Sequence, residues 1–175
     1  MGITNKHIFL IGFMGTGKTT IAAELCKILP ADYLDTDQMI IEKEGTAIEE
    51  IFERKGEVYF RQAESSIISD LKKVNTAVVS CGGGIVLKEE NVINMKEVGI
   101  IFLLTALPET IYDRVKDDSN RPLLNANMNV KYIQEMMEKR GSHYMNAADY
   151  VVKTDHKEPE EIVEEISSIL KSMKK

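Results

Sequence analysis

Three observations predict an α/β fold built on a mainly parallel, five-stranded sheet. Apolar runs at 7–11, 33–34, 77–79, 100–104 and 150–152 are separated by segments of helical periodicity, the alternation that βαβ units produce. The first run, His7-Ile8-Phe9-Leu10-Ile11, is nearly unbroken, as expected of a strand covered on both faces. A glycine-rich turn then leads straight from that run into a helical pattern, and right-handed crossovers would gather such turns at the carboxyl edge of the sheet.

The turn is Gly12-Phe13-Met14-Gly15-Thr16-Gly17-Lys18-Thr19, and its spacing is that of a phosphate-cradling loop. Glycine lets the backbone curl closely around an anion, and N–H groups at a helix start point at it with the helix dipole behind them. Gly15, Thr16 and Gly17 form the expected cradle. Lys18 is expected at the β- and γ-phosphates and Thr19 at Mg²⁺ through its hydroxyl, with Thr20 opening the helix beside them. Ile21, Leu25, Ile28 and Leu29 continue at helical spacing until Pro30 ends the pattern. The functional expectation is a nucleoside triphosphate site, against the plainer alternative of a flexible turn.

The second run ends in Asp35-Thr36-Asp37. A strand continuing through this triplet would turn both carboxylates the same way, one to hold Mg²⁺ waters and the other to orient or deprotonate a hydroxyl. The alternative is a polar turn that caps the next helix. Arg61 follows Phe60 on the helix after Gly56, with Glu64 three residues on. From spacing alone this is an ordinary surface ion pair worth about 0.5 kcal/mol at best. Gly82-Gly83-Gly84 directly follows the expected strand Val78-Val79-Ser80-Cys81; it is either a simple loop or a place where backbone amides approach a ligand that a Cβ would hold away.

Beyond the fourth run, Arg114 sits on a helix, where it is either exposed or stacked on an adenine ring. The segment 116–129 is rich in Asp, Asn and Ser, a composition suited to a mobile surface loop. Arg121 within it is either solvated or folds over the triphosphate as a lid. Arg140 shares helical spacing with Ile133, Met136 and Met137, and a guanidinium on an apolar face calls for an anion. After the fifth run, Ile162, Ile166, Ile169 and Leu170 mark a closing amphipathic helix.

Composition narrows the class of function. With 175 residues and 43% hydrophobic content, the chain suits one domain spanning 1–175. No apolar stretch approaches the ~20 residues needed to cross a bilayer, and the first strand starts within a few residues of Met1, so a cytoplasmic protein is expected. Cys26 and Cys81 lie far apart with no His cluster and read as buried reduced thiols, not a disulfide or zinc site. A net charge of −6 argues against nucleic-acid and acidic-membrane partners. Small-molecule substrates and a monomeric state are the expectation.

The ordered set, namely the 12–19 loop, Asp35-Thr36-Asp37, Phe60-Arg61 with Glu64, Gly82-Gly83-Gly84, Arg121-Pro122-Leu123-Leu124, and Arg140 with Tyr144, resembles the shikimate kinases over nearly the whole chain. That resemblance implies a P-loop, nucleoside-monophosphate-kinase-like three-layer sandwich with strand order 2-3-1-4-5, a substrate-binding region at 37–64 and a lid at 116–129. It implies transfer of the γ-phosphoryl group of ATP to the 3-hydroxyl of shikimate with Mg²⁺, a step of chorismate and aromatic amino acid biosynthesis. The catalytic residues implied are Lys18, Asp37 at the reacting hydroxyl, and Arg121 at the ATP phosphates. Arg61 and Arg140 would take the substrate carboxylate, Gly82 and Gly83 would line the substrate, with the Gly83 backbone on a substrate hydroxyl. Thr19 would bind the metal, and Asp35 would reach it through water. Two arginines clamping one carboxylate also make physical sense, because their hydrogen bonds are bidentate and oriented.

The chain departs from the pattern in one place, since Thr154-Asp155-His156-Lys157 only loosely matches the family's adenine loop. The strand before the glycines carries no metal-binding acid, an absence the family shares. The nearest rival is another small-molecule kinase of this fold, acting on gluconate or a nucleoside monophosphate; the Arg61 and Arg140 pair discriminates against it. A GTP-dependent switch would carry an Asn-Lys-x-Asp motif after a strand, and none occurs.

Overall fold

The structure, a computed structural model, describes residues 6–116 and 129–173. Strands β1 (His7–Ile11), β2 (Asp32–Asp35), β3 (Ala77–Ser80), β4 (Gly99–Thr105) and β5 (Tyr150–Lys153) pair in parallel in the order β2-β3-β1-β4-β5. The expected topology holds, strand order included. Between the strands run α1 (Lys18–Ile28), α2 (Thr36–Glu44), α3 (Ile48–Leu71), a 3₁₀ turn (Ile85–Leu87), α4 (Glu89–Val98), α5 (Pro108–Val115), α6 (Val130–Ala147) and the closing α7 (Pro159–Ser172).

The two-residue period of the strands divides the core. Ile8, Leu10, Ile100, Phe102 and Leu104 face α1 and α7 through Leu25, Ile166 and Leu170. Phe9, Ile11, Val79, Ile101 and Leu103 face α3, α4 and α6 through Ile68, Leu71, Met95 and Ala147. Each side chain finds a helix whichever way it points, which is why the runs are continuously apolar. Burying each such Ile, Leu or Phe is worth about 1.5–3 kcal/mol.

Three local expectations need correction. The first helix begins at Lys18, two residues before Thr20, because Gly17 in the left-handed region (φ 93°) already sets its N-terminus. Its buried stripe follows the four-residue row Ile21, Leu25 and Leu29, so Ile28, one position off that row, is 55% exposed. Cys26 lies at the margin of the same stripe and is only partly buried, unlike Cys81. The closing helix matches its sequence signature well: Pro159 takes its first turn, and Glu158 and Glu161 form a reciprocal capping box.

His7 anchors the amino edge of the sheet. It is 5% exposed, its Nδ1 accepts from the Ala77 N–H (3.1 Å), and its Nε2 donates to the Leu71 carbonyl (2.9 Å). The backbone donor at Nδ1 fixes the proton on Nε2. His7→Phe keeps the ring volume but takes the partner from the buried Ala77 N–H and leaves the Leu71 carbonyl only the Val74 N–H (3.3 Å), so urea unfolding is expected to show a loss of about 1–3 kcal/mol. Among the described residues, no helix is long and apolar enough to cross a membrane.

Candidate active site

The glycine-rich loop closes on itself before α1 starts. Gly12, Gly15 and Gly17 have φ of 146°, 75° and 93°, conformations that strain residues with a Cβ. Thr16 is buried and spends its hydroxyl on the Phe13 carbonyl (2.8 Å). Lys18 arches back, its Nζ donating to the carbonyls of Gly12 (2.9 Å) and Phe13 (3.0 Å). The first turn of α1 holds no acidic residue and no side chain caps it, so the positive end of the helix dipole stays available to an anion.

Thr19 lies 3.4 Å, hydroxyl to hydroxyl, from Ser80. Ser80 ends β3, is 2% exposed, and is the register partner of Asp35 in β2. Sequence reasoning missed Ser80. The available signal was a hydroxyl closing an otherwise apolar strand at the carboxyl edge.

The Asp35-Thr36-Asp37 triplet is not an extended strand. β2 stops at Asp35, and α2 begins at Thr36. The reason is the cap itself: Asp35 Oδ1 accepts from the N–H groups of Asp37 (3.0 Å) and Gln38 (3.2 Å), satisfying donors a helix start leaves open. The two carboxylates therefore come from different elements, yet both line the same cleft. The capping alternative holds for Asp35, and it does not remove the carboxylates from the cleft.

The glycine triplet is shaped by protein side chains. A methyl group at Gly82 would crowd the Asp37 carboxylate, and one at Gly84 would fall inside the Arg61 guanidinium. The Gly82 N–H donates to Thr36 Oγ1 at 2.8 Å, tying this turn to the start of α2. Thr36 is fully buried.

Arg61 and Glu64 are no surface pair. Glu64 is 1% exposed and its carboxylate lies 2.7 Å from Arg61 Nη1. Burial pushes the Glu64 carboxyl up, with Arg61 pulling in the opposite direction. The Arg61 guanidinium is lowered by its own burial but raised overall by Glu64 and Glu57. The helix period gave the right partner, while the burial came from α2 and the glycine turn, which spacing cannot reveal.

Arg140 lines the same cleft from α6. One turn on, the buried Tyr144 donates its hydroxyl to the Gly83 carbonyl. Burial raises the Tyr144 phenol above its ordinary range, against the opposing pull of Arg140 beside it. Tyr144 thus links the Arg140 helix to the glycine turn. Tyr144→Phe removes that donor and leaves a carbonyl short of a partner; differential scanning should record a loss of about 1–2 kcal/mol, and the Michaelis constant of an acid substrate is expected to rise with little change in turnover.

Arg114 is exposed but tied down, donating to Gly15 O (3.1 Å), Thr154 Oγ1 (3.1 Å) and Thr154 O (3.0 Å). It thereby joins the phosphate loop to the end of β5. Asp155 accepts from the Leu107 N–H and the Thr110 hydroxyl; burial raises its carboxyl, and these bonds more than offset that, holding it below the usual range. Thr154 and Lys157 line the cleft. Arg121 and residues 117–128 of the expected lid lie outside the described residues.

One cleft of about 1220 Å³ runs from Gly15, Lys18 and Thr19 past Asp35 and Asp37 to Arg61, Gly82, Gly83 and Arg140. The sequence model of shikimate kinases matches residues 14–171. The chain belongs to the shikimate kinase family. A shikimate kinase of Caldicellulosiruptor saccharolyticus is 42% identical over 164 residues, covering 94% of this chain and 95% of that protein. One of Persephonella marina is 42% identical over 161 residues, covering 92% and 96%. Among solved structures, a shikimate kinase from Acinetobacter baumannii in complex with shikimate superposes with a TM-score of 0.90 at 32% identity, over 98% of this chain and 96% of that one. Membership in the shikimate kinase family makes this protein a kinase, with ATP as its co-substrate. The cleft runs from the glycine-rich loop at one end to Arg61 and Arg140 at the other.

Proposed function

We propose that this protein transfers the γ-phosphoryl group of ATP to the 3-hydroxyl of shikimate, giving shikimate 3-phosphate and ADP. The observation that carries this reading is the continuity of the cleft, which joins the glycine-rich loop to a carboxylate beside Gly82 and to two arginines. ATP places its triphosphate on the loop, where Lys18 and the α1 dipole offset its charge. The acceptor places its carboxylate between Arg61 and Arg140, whose forked donors suit a planar anion. Asp37 accepts the hydrogen bond of the reacting hydroxyl and orients it toward the terminal phosphorus. The family resemblance assigns Arg121, outside the described residues, to the same phosphates.

The residues present fit Mg²⁺. Thr19 offers a hydroxyl at the loop and Asp35 a carboxylate at the end of β2, while no group of three His, Cys, Asp or Glu that could hold a metal ion occurs among the described residues. A hard cation that keeps most of its waters and leans on substrate phosphates needs only such a sparse set. Bound there, Mg²⁺ would neutralise phosphate charge.

The test is product identification by phosphorus NMR after incubation with ATP, Mg²⁺ and shikimate. A new phosphomonoester resonance bonded through the ring 3-oxygen is expected. Phosphorylation of gluconate or a nucleoside monophosphate in its place would overturn the reading.

A further inference from the structure

We propose that Glu57 is a resident competitor for the acceptor's carboxylate, occupying the edge of Arg61 that an acid must claim. This deepens the assignment of Arg61 and rests on that reading. Arg61 presents two faces, and they are held very differently. Its Nη1 is bound to Glu64, which is 1% exposed and 2.7 Å away, so that partner is fixed in the interior. Its Nε and Nη2 form the side-on fork, the edge suited to a two-oxygen anion. There a single oxygen of Glu57, Oε1, accepts from both, at 3.3 Å and 3.1 Å.

Glu57 is built to leave. Its side chain is 65% exposed, and one oxygen shared between two donors is a poorer match than the paired bonds of a ligand carboxylate. The backbone helps. Gly56 (φ 78°, ψ 173°) breaks the helical path of α3, making Glu57 the first residue of its second segment, and nothing lies within 4 Å of where a Gly56 side chain would begin. Glu57 thus lines the cleft from an exposed position next to the uncrowded Gly56. In the absence of substrate it keeps the guanidinium oriented; when an acid binds, it gives up the fork, and its charge then opposes the ligand's own. The residue trades affinity for a preset arginine.

The experiment is calorimetric titration of the full chain with shikimate, comparing the unaltered protein with Glu57→Gln, Glu53→Gln and two Arg61 variants. Because an exposed i,i+4 ion pair is weak, the dissociation constant should fall by about two- to fivefold in Glu57→Gln. Glu53 also lines the cleft but makes no bond to Arg61, so Glu53→Gln reports the effect of merely removing a nearby negative charge and should fall short of that gain. Unchanged or weaker binding in Glu57→Gln, or an equal gain in Glu53→Gln, would overturn the proposal while leaving the clamp intact. Arg61→Ala tests the clamp separately, and Arg61→Lys does so with a charge kept beside Glu64. Wild-type affinity in both would overturn the assignment of Arg61, and the competitor with it.

Discussion

Replacing Asp37 by asparagine is expected to lower turnover by about 10²- to 10⁴-fold, the range associated with a positioned acid or base. The substitution conserves shape, so the side chain still fits against Gly82, where a methyl group would not. What it removes is the negative charge and half of the acceptor capacity at the reacting hydroxyl. Asp35 cannot substitute, because its Oδ1 is committed to the N–H groups of Asp37 and Gln38. The effect should fall on turnover, with the Michaelis constants for ATP and shikimate changed by much less. Steady-state kinetics on a variant with unaltered thermal unfolding would check this. Turnover within a fewfold of normal would remove Asp37 from the mechanism.

Arg61→Ala is expected to damage both recognition and stability. Losing one arm of the clamp on a desolvated carboxylate typically costs 2–5 kcal/mol, so the Michaelis constant for shikimate should rise by about 30-fold or more. Stability falls for a separate reason. Glu64 is 1% exposed, and without Arg61 it becomes an unpaired buried charge, a situation costing about 3–5 kcal/mol. The sign of the pH dependence follows from the Glu64 carboxyl, which burial already holds above its ordinary range. A glutamate that binds its proton more tightly when folded favours the fold below the ordinary value of ~4.3 and loses that contribution as pH rises through the raised one. Removing Arg61 raises it further. The destabilisation of Arg61→Ala should therefore be small near pH ~4 and larger near neutrality. Urea unfolding at the two pH values measures it, and equal losses at both would contradict the role given to Glu64.

These residues also show where the sequence was informative. β1, the loop and α1 were legible because their signal is local: an apolar run, glycines where φ is positive, then a lysine and threonine at fixed spacing. β3 and β4 followed from the same apolar period, since each is covered on both sides, whereas β2 and β5, at the sheet edges, are partly exposed and gave short runs. Strand order came only from the family resemblance, because nothing local says which runs are neighbours. The end of the cleft at the two arginines was harder. Whether Asp35 caps the next helix or faces a cleft could not be decided from spacing; it caps α2 and also lines the cleft. The burial of Glu64, the place of Ser80 beside Thr19 and the packing of Gly84 on Arg61 are long-range facts produced when α2, α3 and β3 meet. The same holds for Arg114, whose partners Gly15 and Thr154 lie on separate elements.

The central claim is that the loop and the two arginines serve one reaction. Its most direct test is the rate of ADP formation from ATP and Mg²⁺ with shikimate supplied or withheld. A rate that depends on shikimate, and that collapses in Arg61→Ala at low shikimate, is expected. ADP formation at the same rate without shikimate, or driven equally well by gluconate, would contradict the claim.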